Sequence, residues 1–122
     1  MQGKRLERVN QLIKEEISML LQRELKDPRL GFITVTEVDV TADLKHAKVY
    51  VSVLGSEEQW ATSFQALQSA RGFVWSWLRR HLDLRATPEI AFRPDRSMEH
   101  AAHIQSLLAE LRGKPHGEGA EP

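Results

Sequence analysis

Five histidines and no cysteine bound the chemistry open to this 122-residue chain. Without thiols there is no disulfide framework, thiolate zinc site, iron–sulfur cluster or cysteine nucleophile. His46, His81, His100, His103 and His116 are the candidates for acid–base or metal work. His100 and His103 stand at i and i+3 and could touch one ion from a helix. A closed zinc site needs four ligands, however, and no third is recognisable. His100 also falls on an apolar stripe leading to Ile104 and Leu108, where a half-buried structural histidine is expected. Glu15-Glu16, and Asp83 with Glu89, offer carboxylates, but none stands at an informative spacing from a base or nucleophile. Neither a Walker loop nor a Gly-x-Gly-x-x-Gly fingerprint occurs. The expectation is a protein that is not an enzyme and uses no metal or cofactor.

Cationic chemistry is more promising. The 17 Lys+Arg balance the 17 Asp+Glu, but the balance is uneven along the chain. Residues 1–30 carry net +2, 31–70 net −3, 71–96 net +3 and 97–122 net −2. Neutralising phosphates releases counterions whatever the sequence, so a cationic patch favours nucleic acid. The competing reading is a solvated face of mixed charge. Arg71-Gly72 adds weight to the first. A helix starting there presents unpaired N–H groups, glycine admits a phosphate backbone, and Arg71 adds a forked donor. Arg71, Trp75 and Arg79 recur every four residues, so Trp75 either stacks a base between phosphate contacts or packs at the core edge under arginine stems. Arg71, Arg79, Arg80 and Arg85 are the first candidates for phosphate contact, with Gly72 permitting approach. Lys4, Arg5, Arg8 and Lys26 come second, and Lys45 and Lys48 on a polar sheet face last.

These residues need a scaffold, and the apolar periodicity supplies one. Leu6, Val9, Ile13, Ile17, Leu20, Leu21 and Leu25 form one stripe of a long helix, stopped at Asp27-Pro28. From Phe32 to Val40 the chain alternates as a strand, but Ile33 and Val35 share one parity and Val38 and Val40 the other. A bulge near Thr36-Glu37 reconciles them. After a turn at Thr41-Ala42-Asp43, Ala47, Val49, Val51 and Val53 face one way and His46, Lys48, Tyr50 and Ser52 the other, predicting an antiparallel hairpin. Ser56 with Gln59 reads as a capping box ahead of Trp60, Phe64 and Leu67. Gly72 interrupts, and Phe73, Val74, Trp77, Leu78 and Leu82 resume in a new phase, so two helices meet near residues 69–72. Ile90 and Phe92 mark a third strand. Ser97 caps a last helix with the stripe Ala101, Ile104, Leu107, Leu108 and Leu111. The order α-β-β-α-α-β-α predicts an α+β domain, a three-stranded sheet with helices packed on one face.

A chain this long buries roughly 65–70% of its unfolded surface, enough for one core. Residues 1–112 are expected to form that single domain, and 113–122, rich in Gly, Pro and Glu, a disordered tail. No apolar run spans a bilayer and the N-terminus lacks the pattern of a signal peptide, so a cytoplasmic, soluble protein is expected.

Several motifs together resemble the ribosome-binding factor A family. They are Glu24-Leu25-Lys26-Asp27-Pro28-Arg29-Leu30-Gly31, Val35-Thr36-Glu37-Val38 and Asp43-Leu44-Lys45-His46-Ala47-Lys48-Val49-Tyr50-Val51-Ser52-Val53-Leu54-Gly55. Ala70-Arg71-Gly72-Phe73, Leu84-Arg85, Pro88-Glu89-Ile90-Ala91-Phe92 and Asp95-Arg96-Ser97 follow in family order, so the likeness runs from about Arg5 to Leu111. The resemblance implies a type II KH-like fold with a kinked Ala-x-Gly helix–helix junction at Ala70-Arg71-Gly72 in place of the usual Gly-x-x-Gly loop. It implies a factor that binds the free 30S subunit and its 16S rRNA late in maturation and supports growth in the cold. It further implies a monomer that leaves before translation with help from an assembly GTPase. Trp75 departs from the basic residue common in that family. A helix-turn-helix DNA binder and a protein–protein adaptor are the rival readings.

Overall fold

The computed structural model describes residues 2–25 and 27–113. Its elements are α1 (Gln2–Arg23), β1 (Phe32–Val40), β2 (His46–Leu54), α2 (Glu57–Ser69), α3 (Arg71–His81), β3 (Glu89–Pro94) and α4 (Ser97–Gly113). The order is the one the periodicity predicts. β1 and β2 pair antiparallel, and β3 joins the far side of β2 in parallel. A parallel neighbour demands a long crossover, and α2 with α3 provides it.

The sheet buries one face only. Ala47, Val49 and Val51 have no exposure, while His46 and Lys48 on the alternate positions are open. The register of β1 against β2 shifts between Val35 and Glu37, leaving Thr36 as the extra residue. That residue lets Val35, Val38 and Val40 all face the core despite their opposite parities.

The bulge also has a polar use. The Thr36 hydroxyl donates to Asp95 Oδ2 at 2.5 Å, and Asp95 Oδ1 accepts the Ser97 amide at 2.9 Å. These bonds, the Thr36 hydroxyl first, hold the Asp95 carboxyl below the usual carboxylate range. A depressed folded pKa means stability present at neutral pH and lost as pH falls through that pKa. Asp95→Asn is therefore expected to cost about 1 kcal/mol in urea unfolding near pH 7. The gap from wild type should narrow as pH is lowered to about 3.

Three helices cover the buried face. Ile13, Ile17 and Leu20 carry the α1 stripe into the core without exposure. Trp77 of α3 donates to Glu16 of α1 at 2.7 Å and stacks on His81 with centroids 3.9 Å apart. The α2 capping box forms as read, Ser56 accepting from the Gln59 amide while the Gln59 side chain accepts from the Ser56 amide. Ser63, fully buried, accepts the Gly31 amide at 3.1 Å and fixes the loop after Asp27-Pro28 to α2.

Four expectations change at the C-terminal end. Ser97 is the first residue of α4 rather than its cap, because Asp95 already takes its amide. α4 also runs through Gly113, the first residue of the expected tail; residues 114–122 lie outside the described residues. Every described α4 side chain from Ser97 to Arg112 is exposed, His100 and His103 included. The last apolar stripe is thus exposed rather than part of the core, and His100 is not half-buried.

Candidate nucleic-acid interface

α2 and α3 are joined by one residue. Ala70 (φ −91°, ψ 1°) donates to Ala66 O at 3.0 Å as the end of α2 and accepts the Val74 amide at 2.9 Å as the start of α3. Its methyl is nearly buried (8% exposed), so the kink packs against the core and α3 starts at the surface. No side chain caps that start. Gly72 sits in the first turn without a positive φ, and a Cβ placed on it would meet nothing within 4 Å. Neither conformation nor packing within the chain therefore calls for glycine here.

The parallel β2–β3 pair delivers the turn before β2 to this same corner. The Glu89 amide donates to Lys45 O at 2.8 Å, and His46 Nδ1 lies 3.4 Å from Glu89 Oε1. Asp43 closes the turn by accepting the Thr41 hydroxyl (2.7 Å) and the Lys45 amide (3.0 Å), which lower its pKa in that order. Leu44 beside it, at φ 62°, is the only non-glycine residue with positive φ among the described residues. Such strain concentrates where geometry serves function.

Two open grooves result. One of ≈ 660 Å³ is lined by Leu44, Lys45, Arg71, Gly72, Trp75 and Glu89. The other, ≈ 550 Å³, is lined by Trp75, Arg79, Asp83 and Arg85. Trp75 is the wall between them. Its Nε1 donates to Thr87 O at 3.2 Å, and the Arg79 guanidinium lies 5.6 Å from its ring centroid. At 37% exposed, Trp75 covers the core edge and still shows part of its ring to both grooves.

Ion pairing separates the arginines. Arg29 is paired with Asp27 at 2.7 Å, and Arg96 with Glu57 at 2.7 Å and Glu99 at 3.1 Å. The Arg29 side chain is what chiefly lowers Asp27 to about 2. Among the described residues no ion pair includes Arg71, Arg79, Arg80 or Arg85, and all four are exposed. Arg71 only rests its Nε on the Gln68 carbonyl at 3.4 Å.

The structure thus brings Arg71, Gly72, Trp75, Arg79, Arg85 and Lys45 together. Arg80 lies about 100° round α3 from Arg79 and lines neither groove. Lys4, Arg5 and Arg8 are exposed on the first turns of α1, near the end of the sheet where Asn10 accepts the Val40 amide at 2.9 Å. Lys48 points from the open sheet face opposite Asp39 and Ala91, away from the grooves. Lys26 lies outside the described residues. The sequence alone does not place Leu44, His46, Thr87 and Glu89 at this corner, where they gather through a strand pairing that no local pattern encodes. No group of three or more potential metal ligands occurs among the described residues. Nor is any described helix long and apolar enough to cross a membrane.

A three-stranded sheet with two helices meeting at a one-residue kink, open at one cationic corner, defines a KH-like domain. The family model of ribosome-binding factor A matches residues 5–108. The chain belongs to the ribosome-binding factor A family. It is 51% identical over 114 residues to ribosome-binding factor A of Acetivibrio thermocellus, covering 93% of each chain. The crystal structure of the Thermus thermophilus protein superposes with a TM-score of 0.65 at 28% identity, over 73% of this chain and 94% of that one. Coordinates of Thermus ribosome-binding factor A fitted into a cryo-EM map of its complex with the 30S subunit are also similar. Their TM-score is 0.60 at 30% identity, over 71% of this chain and 91% of that one.

Proposed function

We propose that this chain binds the free 30S ribosomal subunit and assists late maturation of its 16S rRNA, including growth in the cold. The observation carrying this reading is the cluster of unpaired Arg71, Arg79 and Arg85 around two open grooves, next to a glycine the fold does not need. Phosphate groups would sit on the arginines, with the Gly72 edge of α3 free for close approach of the sugar–phosphate chain. Lys45, Lys4, Arg5 and Arg8 extend the contact, and Arg80 and Lys26 take secondary parts. Trp75, held by Thr87, offers its free edge for stacking on an unpaired base.

The mechanism is occupancy. A cytoplasmic monomer stabilises one arrangement of immature rRNA by binding it more tightly than the alternatives. It leaves before translation with the help of an assembly GTPase, and no bond is made or broken by its own residues. Helix-turn-helix recognition fits less well, since that motif uses a turn of about three or four residues where this chain has Ala70 alone. Sucrose-gradient sedimentation tests the proposal. The chain is expected to travel with purified free 30S subunits and not with 70S ribosomes. Migration at the top of the gradient with both would reject it.

A further inference from the structure

The α4 helix carries an apolar stripe that stays exposed among the described residues. Ile104, Leu107 and Leu108 are 41–44% exposed, and Leu111 and Met98 64–65%. At about 100° per residue, Ala101, Ile104, Leu107, Leu108 and Leu111 share one face, and Glu99, His103 and Glu110 line one border of it. Only its root is fastened. Arg96 bridges Glu57 and Glu99 and lies 3.9 Å from the Trp60 ring centroid, while Trp60 Nε1 donates to Glu99 at 3.1 Å. Beyond that latch only residues 100–113 of α4 continue, and isolated helices shorter than about 12–15 residues are marginal in water.

Charge and composition choose among the possible occupants. Residues 114–122, Lys-Pro-His-Gly-Glu-Gly-Ala-Glu-Pro, carry no large apolar side chain to lay on the stripe. Glu57, Asp95, Glu99 and Glu110 stand at or along the helix against Arg96 and Arg112, and Arg96 is shared between Glu57 and Glu99. α2 has no basic residue at all. This surface repels a phosphate backbone, and a second copy would set carboxylates against carboxylates. It also lies at the end of the sheet opposite the arginines, because α4 leaves the last residue of β3 whereas the grooves adjoin the first.

We infer that α4 docks a lysine- and arginine-rich segment of a small-subunit protein, whose apolar anchors cover the Ile104–Leu108 stripe while its cations face Glu110 and the root, where one Arg96 is shared by two carboxylates. The contact would position the chain on the subunit from the end that rRNA does not hold. The inference goes beyond the rRNA contact proposed above and shares with it the 30S subunit as target.

Ile104→Asp/Leu108→Asp and Glu110→Lys chains, with a photo-crosslinking residue at Leu107 of the wild type, test it on purified 30S subunits. The expected results are at least 10-fold weaker binding for the double variant and about 3-fold weaker for Glu110→Lys. The melting temperature should stay unchanged, because these positions are exposed and lie outside the core cluster. Glu110→Lys should also keep the helical circular dichroism, so its weaker binding cannot come from unwinding of α4. The crosslinked peptide should come from a ribosomal protein and carry net positive charge. Crosslinks to rRNA or to a second copy, or wild-type affinity for both variants, would overturn the docking. Failure of the wild type to sediment with subunits would remove the proposed function and this contact together. Crosslinking to rRNA at Leu107 with intact sedimentation would remove this contact alone.

Discussion

Replacing Arg71 and Arg79 together by glutamine is expected to weaken binding to free 30S subunits about 25–60-fold near 0.1 M salt. One phosphate neutralised by an arginine contributes roughly 0.7–0.9 to the slope of log affinity against log salt, so the double variant should flatten it by about 1.4–1.8. Because both side chains are exposed and outside any ion pair among the described residues, folding stability should change by no more than about 0.5 kcal/mol. Arg29→Gln supplies the control. It removes the same charge from an arginine already neutralised by Asp27, and both slope and affinity should hold. Equal slopes for the double variant and wild type would move the phosphate contact elsewhere on the chain.

Gly72→Ala should move stability and binding in opposite directions. Glycine in a helix costs up to about 1 kcal/mol relative to alanine, and the added methyl finds open space. The melting temperature should therefore rise, by about 3–6 °C for a domain of this size. If a sugar–phosphate chain passes against α3 at this point, the same methyl occupies its path, and affinity for subunits should fall 10-fold or more. A chain both more stable and equally well bound would take Gly72 out of the contact.

Local features were legible because their physics is local. The reversal of parity between Val35 and Val38 demanded one extra residue, and Thr36 is that residue. Ser56 and Gln59 closed the box their spacing announced. Ala70 to Gly72 marked a break because the apolar phase changes there. What stayed hidden depends on residues far apart in the chain. Nothing near His46 reveals that parallel pairing sets it against Glu89, or that Leu44 will share a groove with Arg71. Counting cations could not tell Arg96, neutralised by Glu57 across 39 residues, from Arg71, which is unpaired. The helical period placed Arg80 and Arg79 side by side in sequence yet on different sides of α3. An apolar stripe such as that of α4 records that something covers it, but says nothing of whether the cover lies in the same chain.

The opposition of arginines at one end and carboxylates at the other makes the molecule an electric dipole without a net charge. Far from a polyanion it feels little pull, so stray nucleic acid should not trap it by monopole attraction. Close in, within about 8 Å at physiological ionic strength, the field turns the dipole and its gradient draws the cationic end inward. The protein would then meet a nascent particle with its arginines leading, and raising the salt should slow that encounter by spoiling the alignment.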